Sequence, residues 1–245
     1  MLSSAQIKFI KSLSQKKFRD SSGLFVAEGE KLVAEALASR FQVEAVYRKE
    51  DIGEAAMARI TGLSSPSPAL ALVHRPEDLS RAGLPENGLF LALDGIRDPG
   101  NLGTILRVAD WFGVDAVFCS PDTVDCFNPK VVQATMGAIF RVRIHYTDLP
   151  ELCGKARELG GPVYGTFLDG ENFYAKDLSN GADAPSVIVI GNEANGITEK
   201  TAACVTDRLY IPPYPADDAG SESLNAAVAT AITVAEFRRR CHTGR

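Results

Sequence analysis

Four polar side chains in three separate segments of this 245-residue chain could act on one ligand. Asn101 and Arg107 lie in Asp94-Gly-Ile-Arg-Asp-Pro-Gly-Asn-Leu-Gly-Thr-Ile-Leu-Arg107. Glu193 lies in Gly191-Asn-Glu-Ala-Asn-Gly-Ile197, and Asn225 ends the tail that runs from Leu209. Arginine brings a permanent charge and a fork of donors, glutamate an acceptor, and asparagine both donor and acceptor. Each segment follows an apolar stretch and precedes a helical one. In a parallel sheet that is the C-terminal strand end, where helix N-termini present N–H groups to ligands. Each residue also has a plain structural reading. Arg107 could pair with Asp110, Asn101 or Asn225 could cap a helix, and Glu193 could be an exposed loop acid. Their joint appearance at three successive strand ends favours a site.

Other chemistries lack their signatures. The glycines fall at 95, 100 and 103 in one loop and at 191 and 196 in another, which is not the dinucleotide fingerprint. Neither a Gly-Lys-Ser/Thr phosphate loop nor a Gly-x-Ser-x-Gly nucleophile elbow is present. The five cysteines and three histidines are scattered without a CxxC pair, so reduced thiols and no metal site are expected.

The elements that must position these residues alternate along the chain. Helical periodicity occupies 3–14 and 28–39, and strands are expected at 43–47 and 69–73 with a helix near 50–60. A polar stretch with two prolines and two glycines, 74–88, reads as a linker. Beyond it, strands are expected at 89–93, 116–118, 141–145, 163–167, 187–190 and 208–211. Helices are expected at 102–112, 129–136, 149–159, 199–205 and 223–240. Continuous apolar strands such as Val187-Ile-Val-Ile190 suit a parallel sheet covered on both faces. The fold class is therefore α/β, with residues 1–75 as a small α/β domain, 76–88 as linker and 89–245 as the main domain. The last helix is rich in alanine and should sit tightly against another element.

Composition sets the setting. With 45% apolar and 23% charged residues the chain can bury a core. No run of about 18 apolar residues exists, so no membrane span is expected. The start Met1-Leu-Ser-Ser-Ala-Gln-Ile-Lys lacks an apolar signal core, which points to the cytoplasm. A net charge of −5 disfavours a general polyanion binder. Yet Lys8, Lys11, Lys16, Lys17 and Arg19 all precede the first acid, Asp20, and Arg238, Arg239, Arg240 and Arg245 lie at the other end. Two basic ends fit local phosphate contacts, although an arginine run also suits a helix C-terminus.

These segments resemble the motifs of the SpoU-type family of S-adenosylmethionine-dependent RNA ribose 2′-O-methyltransferases, within the knotted SPOUT class. The first motif is Asp98-Pro-Gly-Asn-Leu-Gly-Thr-Ile-Leu-Arg107, the second Val189-Ile-Gly-Asn-Glu-Ala-Asn-Gly196, and the third Ile211-Pro … Glu222-Ser-Leu-Asn225 with the alanine-rich helix. Phe25-Val-Ala-Glu-Gly-Glu-Lys-Leu-Val33 is similar to the ribosomal-protein-L30e-like substrate-binding domain attached to many members. The third motif departs from the family pattern, with Pro213 where methionine is usual and a longer loop over 213–221.

The resemblance implies a deep trefoil knot formed by the last helix. It implies transfer of a sulfonium methyl to a ribose 2′-hydroxyl of a structured RNA, rRNA first and tRNA second. Arg107 would bind the target phosphate or the developing alkoxide. Asn101, Glu193 and Asn225 would complete the catalytic set. Thr166, Gly191, Ile211 and Leu224 would contact the cofactor, largely through backbone. Lys8, Lys11, Lys16, Lys17 and Arg19 would bind RNA, and the protein would be a homodimer. The competing reading is a non-catalytic RNA-binding or ribosome assembly factor that keeps the fold.

Overall fold

The computed structural model describes residues 2–76, 83–178, 184–215 and 223–243, with backbone alone for 241–243. In chain order come α1 (Ser4–Ser12), α2 (Lys16–Ser22), β1 (Leu24–Glu28), α3 (Glu30–Ala38), β2 (Val43–Arg48), α4 (Lys49–Ile52), α5 (Glu54–Ile60) and β3 (Ala69–His74). Next are β4 (Gly88–Asp94), α6 (Pro99–Trp111), β5 (Ala116–Cys119), α7 (Pro129–Thr135), a 3-10 turn (Ala138–Phe140), β6 (Ile144–Tyr146) and α8 (Leu149–Glu158). Then follow β7 (Val163–Asn172), β8 (Pro185–Gly191), α9 (Glu199–Ala202), β9 (Asp207–Tyr210) and α10 (Ala226–Thr243).

The chain divides into two compact units, Met1–Glu77 with Asp125–Arg141, and Asp78–Val124 with Val142–Arg245. The segment Asp125–Arg141 lies within the expected 89–245 domain in sequence and packs in the first compact unit. The reason is aromatic packing. Phe25 lies 4.6 Å from Phe127 and 6.2 Å from Phe140, and Phe41 meets Phe140 edge-on at 5.3 Å.

The first unit holds an antiparallel sheet in the order β1-β3-β2. A capping box starts α1, with Gln6 N–H donating to the Ser3 hydroxyl and the Ser3 N–H donating to Gln6 Oε1. Ile7, Ile10 and Leu13 then pack with Met57, Ile60, Leu70 and Leu72. Two short elements, α2 and β1, were not foreseen. The strand is only five residues long, and the helical pattern of α3 runs into it.

The second unit is a parallel six-stranded sheet in the order β6-β5-β4-β8-β7-β9. All six expected strands are present. β4 is almost wholly buried, as its unbroken apolar run requires. The chain leaves β4 toward β5 on one side and returns as β8 on the other, a switch in winding direction at the middle of the sheet.

α10 buries Ala226, Ala227, Thr230, Thr233, Val234 and Phe237. Thr230 and Thr233 donate to the carbonyls of Ala226 at 2.7 Å and Ala229 at 2.8 Å, so neither buried hydroxyl is unsatisfied. Residues 216–222, which include most of the expected 213–221 loop, lie outside the described residues. None of Cys119, Cys126, Cys153 and Cys204 is in a disulfide. Burial pushes the Cys153 thiol up to about 12, so it stays protonated and unreactive.

Candidate active site

The switch point brings the first two motif loops together. Asp94, the last residue of β4, pairs in register with Gly191, the last residue of β8. From these neighbours one chain turns into α6 and the other into the Gly191–Ile197 loop. Asp98 caps α6, accepting from Asn101 N–H at 2.8 Å, with Pro99 at the first helical position. Asn101 is thereby freed from capping, and its side chain faces the other loops. Its Nδ2 donates to Glu193 Oε1, and its Oδ1 accepts from Asn225 Nδ2 at 2.9 Å. Asn225 also caps α10, its Oδ1 accepting from Ala227 N–H at 3.0 Å and Val228 N–H at 3.3 Å. Its structural and functional readings coexist. Asn101, Glu193 and Asn225 therefore form one hydrogen-bonded chain.

Two further residues build this site, and the sequence reading passed over both. Asn192 Nδ2 donates to Gly95 O at 2.7 Å, while its Oδ1 accepts from Ala194 N–H at 2.9 Å. It both shapes its own loop and ties it to the loop after β4. Asp94, buried at the strand end, accepts from Thr198 N–H and Oγ1, both at 2.8 Å. An Asx-turn pattern, asparagine two residues before alanine within Gly-Asn-Glu-Ala-Asn-Gly, was the available signal for the first. An acid directly after an apolar strand was the signal for the second.

Arg107 is exposed on α6 and is not part of that chain. Among the described residues it has no hydrogen-bond or ion-pair partner, so the expected alternative of pairing with Asp110 is not realised. Gly100, Thr104, Arg107 and Trp111 recur at helical spacing and are all exposed, Trp111 at 85%. Arg107 thus presents an unneutralised guanidinium on the open face of α6.

Three of the four cofactor candidates lie on, or just beyond, adjacent strands of the sheet. The register pairs Gly165 with Val189 and Thr166 with Leu209, so Thr166, within β7, stands level with the ends of β8 and β9, where Gly191 and Ile211 lie. Thr166 Oγ1 makes a long contact to Val189 O at 3.4 Å. A Cβ added to Gly191 would lie 2.3 Å from the carbonyl carbon of Gly196, so the loop closes against bare backbone there. Leu224 is 46% exposed just before α10. Small side chains, open strand-end backbone and an exposed leucine suit an apolar, planar ligand held by main-chain groups, which fits an adenosine-bearing cofactor.

The basic ends divide in two. Lys8, Lys11, Lys16 and Lys17 are exposed, with Lys16 paired to Asp20 at 2.7 Å. Arg19 is a correction: it is 1% exposed and offers nothing to a phosphate. Its guanidinium pairs with Asp125 at 2.6 Å and donates to Leu13 O at 2.8 Å and Ser14 O at 3.0 Å. Three of the C-terminal arginines are likewise structural, and Arg245 lies outside the described residues. Arg238 donates to Phe112 O at 2.8 Å and to Gly113 O, satisfying carbonyls after α6. Arg239 and Arg240 pair with Glu236, each at 2.7 Å. Among the described residues no cluster of three or more His, Cys, Asp or Glu could hold a metal ion. No described helix is long and apolar enough to cross a membrane.

Comparison with known proteins agrees with this geometry. A model of the SpoU rRNA methylase family matches residues 88–235, and one of the MRM3-like substrate-binding domain matches residues 4–71. The chain is 32% identical to the 23S rRNA (guanosine(2553)-2′-O)-methyltransferase RlmP of Bacillus subtilis, over 95% of this chain and 96% of that one. A Porphyromonas gingivalis protein assigned to the TrmH family of RNA methyltransferases superposes with a TM-score of 0.85 at 38% identity. That match covers 98% of this chain and 99% of the other. The AdoMet-bound rRNA methyltransferase from Sinorhizobium meliloti gives 0.81 at 30% identity, over 98% and 96%.

Proposed function

The chain belongs to the SpoU rRNA methylase family, and on that footing we propose that it methylates a ribose 2′-hydroxyl of ribosomal RNA using S-adenosylmethionine. One observation carries the reading. The Asn101–Glu193 and Asn101–Asn225 hydrogen bonds join three motif loops at the C-terminal ends of a parallel sheet. Inert loops have no need of such a chain of polar side chains in the open. Relatives named as rRNA methyltransferases favour rRNA over tRNA as the substrate.

Bound S-adenosylmethionine supplies an electrophilic sulfonium methyl, so the chain's own residues need to position the acceptor and raise its nucleophilicity. Thr166, Gly191, Ile211 and Leu224 would hold the cofactor, mainly through backbone. Asn101, Glu193 and Asn225 fix the three loops relative to one another. Arg107 does not serve as a simple base, since a guanidinium offers a fork of donors and no acceptor. Its guanidinium instead binds the phosphate beside the target ribose and offsets charge building on the 2′-oxygen. The 2′-proton leaves to that phosphate or to water.

Residues 1–75 would select the RNA and 89–245 would carry the transfer. The open stripe on α6 that contains Trp111, with Val228 of α10 47% exposed, supports a homodimer through this face. A cytoplasmic location is consistent with an rRNA substrate, and α10 would be the threaded element of the family's knot. Tritiated methyl incorporation into unmodified ribosomal RNA tests the proposal. Wild-type protein is expected to label it, and Asn101→Ala to fall by at least tenfold. Equal labelling by the two would remove the loop-joining set from the mechanism, and none by the wild type would reject the proposal.

A further inference from the structure

The first two helices carry a feature the site above does not use. Phe9 on α1 and Phe18 on α2 are 40% and 37% exposed, although Ile7 and Ile10 of α1 pack into a core and Arg19 of α2 is buried. Four exposed lysines accompany them: Lys8, Lys11, Lys16 and Lys17. Lys17 Nζ sits 4.9 Å from the centroid of the Phe18 ring. The single acid among residues 2–22, Asp20, is already bound to Lys16 at 2.7 Å and to Arg75 at 2.5 Å. The patch is therefore cationic on a protein whose net charge is −5.

The corner between the two helices is held firmly. Arg19 reaches under it to the carbonyls of Leu13 and Ser14 while paired with buried Asp125. Ser12 and Ser14 hydroxyls donate to Phe9 O at 2.6 Å and Lys11 O at 2.8 Å, and Ser22 donates to Phe18 O at 2.7 Å. Carbonyls at the ends of both helices are thus covered by donors, which lessens their repulsion of an anion. An apolar docking site for a protein would not need so many cations around two isolated rings. Rings set among lysines on a fixed corner match the chemistry of unpaired nucleotides, whose bases stack while their phosphates meet ammonium groups.

We propose that Phe9 and Phe18, with the surrounding lysines, form a stacking platform for unpaired bases of the RNA substrate. The proposal rests on the rRNA reading above and sharpens it: the first unit selects a single-stranded loop or bulge, not a duplex. Rings and lysines have separable signatures. Base–aromatic stacking adds affinity without adding to the salt slope, whereas each phosphate contact adds about 0.7 to that slope for single strands.

The test uses the full chain without S-adenosylmethionine and two fluorescent RNA probes. One is a hairpin with 2-aminopurine in an unpaired loop, the other a fully paired duplex of equal length. Wild-type protein should prefer the hairpin and quench its 2-aminopurine. Phe9→Ala and Phe18→Ala should each weaken hairpin binding about tenfold, abolish part of the quench, and leave duplex binding and the salt slope unchanged. Phe18→Tyr should restore both signals. Lys17→Gln should lower the salt slope by about 0.7 where the contact is to an unpaired strand and about 0.9 where it is to the duplex. Equal wild-type affinity for the two probes would overturn the platform. So would unchanged hairpin affinity in both Phe variants, an outcome that would point to a protein partner instead. Methyl transfer by wild-type protein, measured in parallel, separates the two claims. Labelling with no loop preference rejects the platform alone, and loop preference with no labelling rejects the methyltransferase reading alone.

Discussion

Arg107 and Arg19 have the same side chain and opposite tasks, and burial decides between them. Arg107 stands exposed with no partner among the described residues, so its charge is available to a ligand. Arg107→Ala should lower methyl transfer by about 10²–10³-fold while S-adenosylmethionine affinity, read by calorimetry, stays within twofold. Arg107→Lys keeps the charge but loses the planar fork and should recover only part of the rate. Arg19 is enclosed with Asp125, both side chains under 10% exposed. Removing one member of such a pair leaves a buried charge without its partner, so Arg19→Ala should destabilise the protein by about 3–5 kcal/mol in urea unfolding. An unchanged midpoint would mean that the pair contributes nothing.

α6 and α10 turn single residues into a site. α6 carries Asn101 toward the loops and Arg107 outward; α10 begins at Asn225 and ends in a cluster around Glu236. There Arg240 donates to Phe173 O at 3.1 Å and Tyr174 O at 2.9 Å, binding the helix end to the turn after β7. The hydrogen bond from Arg239, and then that from Arg240, hold the Glu236 carboxyl down to about 2 from an ordinary 4.5. A depressed folded-state pKa stabilises the protein above the unfolded value, and that contribution fades as pH falls through the folded one. The melting-temperature gap between wild type and Glu236→Gln should therefore be full at pH 6 and shrink steadily below about 4.5. A gap independent of pH would show that the ion pairs do not anchor α10. Trp111, exposed on α6, is the chain's one tryptophan and would anchor the proposed homodimer. Trp111→Ser should weaken self-association by about 2 kcal/mol or more in sedimentation equilibrium, and native emission should shift to the blue as protein concentration rises.

At the scale of the molecule, legibility followed how local each signal is. β4, β5 and β8 were readable as largely apolar runs, whereas β6, expected at 141–145, lies at Ile144–Tyr146, and α6, expected from 102 with Asn101 as a possible cap, starts at Pro99 under Asp98. The set Asn101, Glu193 and Asn225 was readable from position at strand ends together with family resemblance. Arg19 was misread because its partner, Asp125, is 106 residues away and a basic run looks solvated. The membership of Asp125–Arg141 in the first unit was hidden for the same reason, since Phe25, Phe127 and Phe140 say nothing of their stacking in sequence. Asn192 and Asp94 hold the site without a motif of their own. The central claim, that this fold joins its three loops to methylate ribose in rRNA, is tested most directly on the product. Ribosomal RNA lacking modification would be incubated with the protein and S-adenosylmethionine, digested to nucleosides and analysed by mass spectrometry. A methyl group on the ribose of a single nucleotide, absent with Arg107→Ala, is the expected result; a methyl on a base, or no methylated nucleoside above the protein-free control, would contradict it.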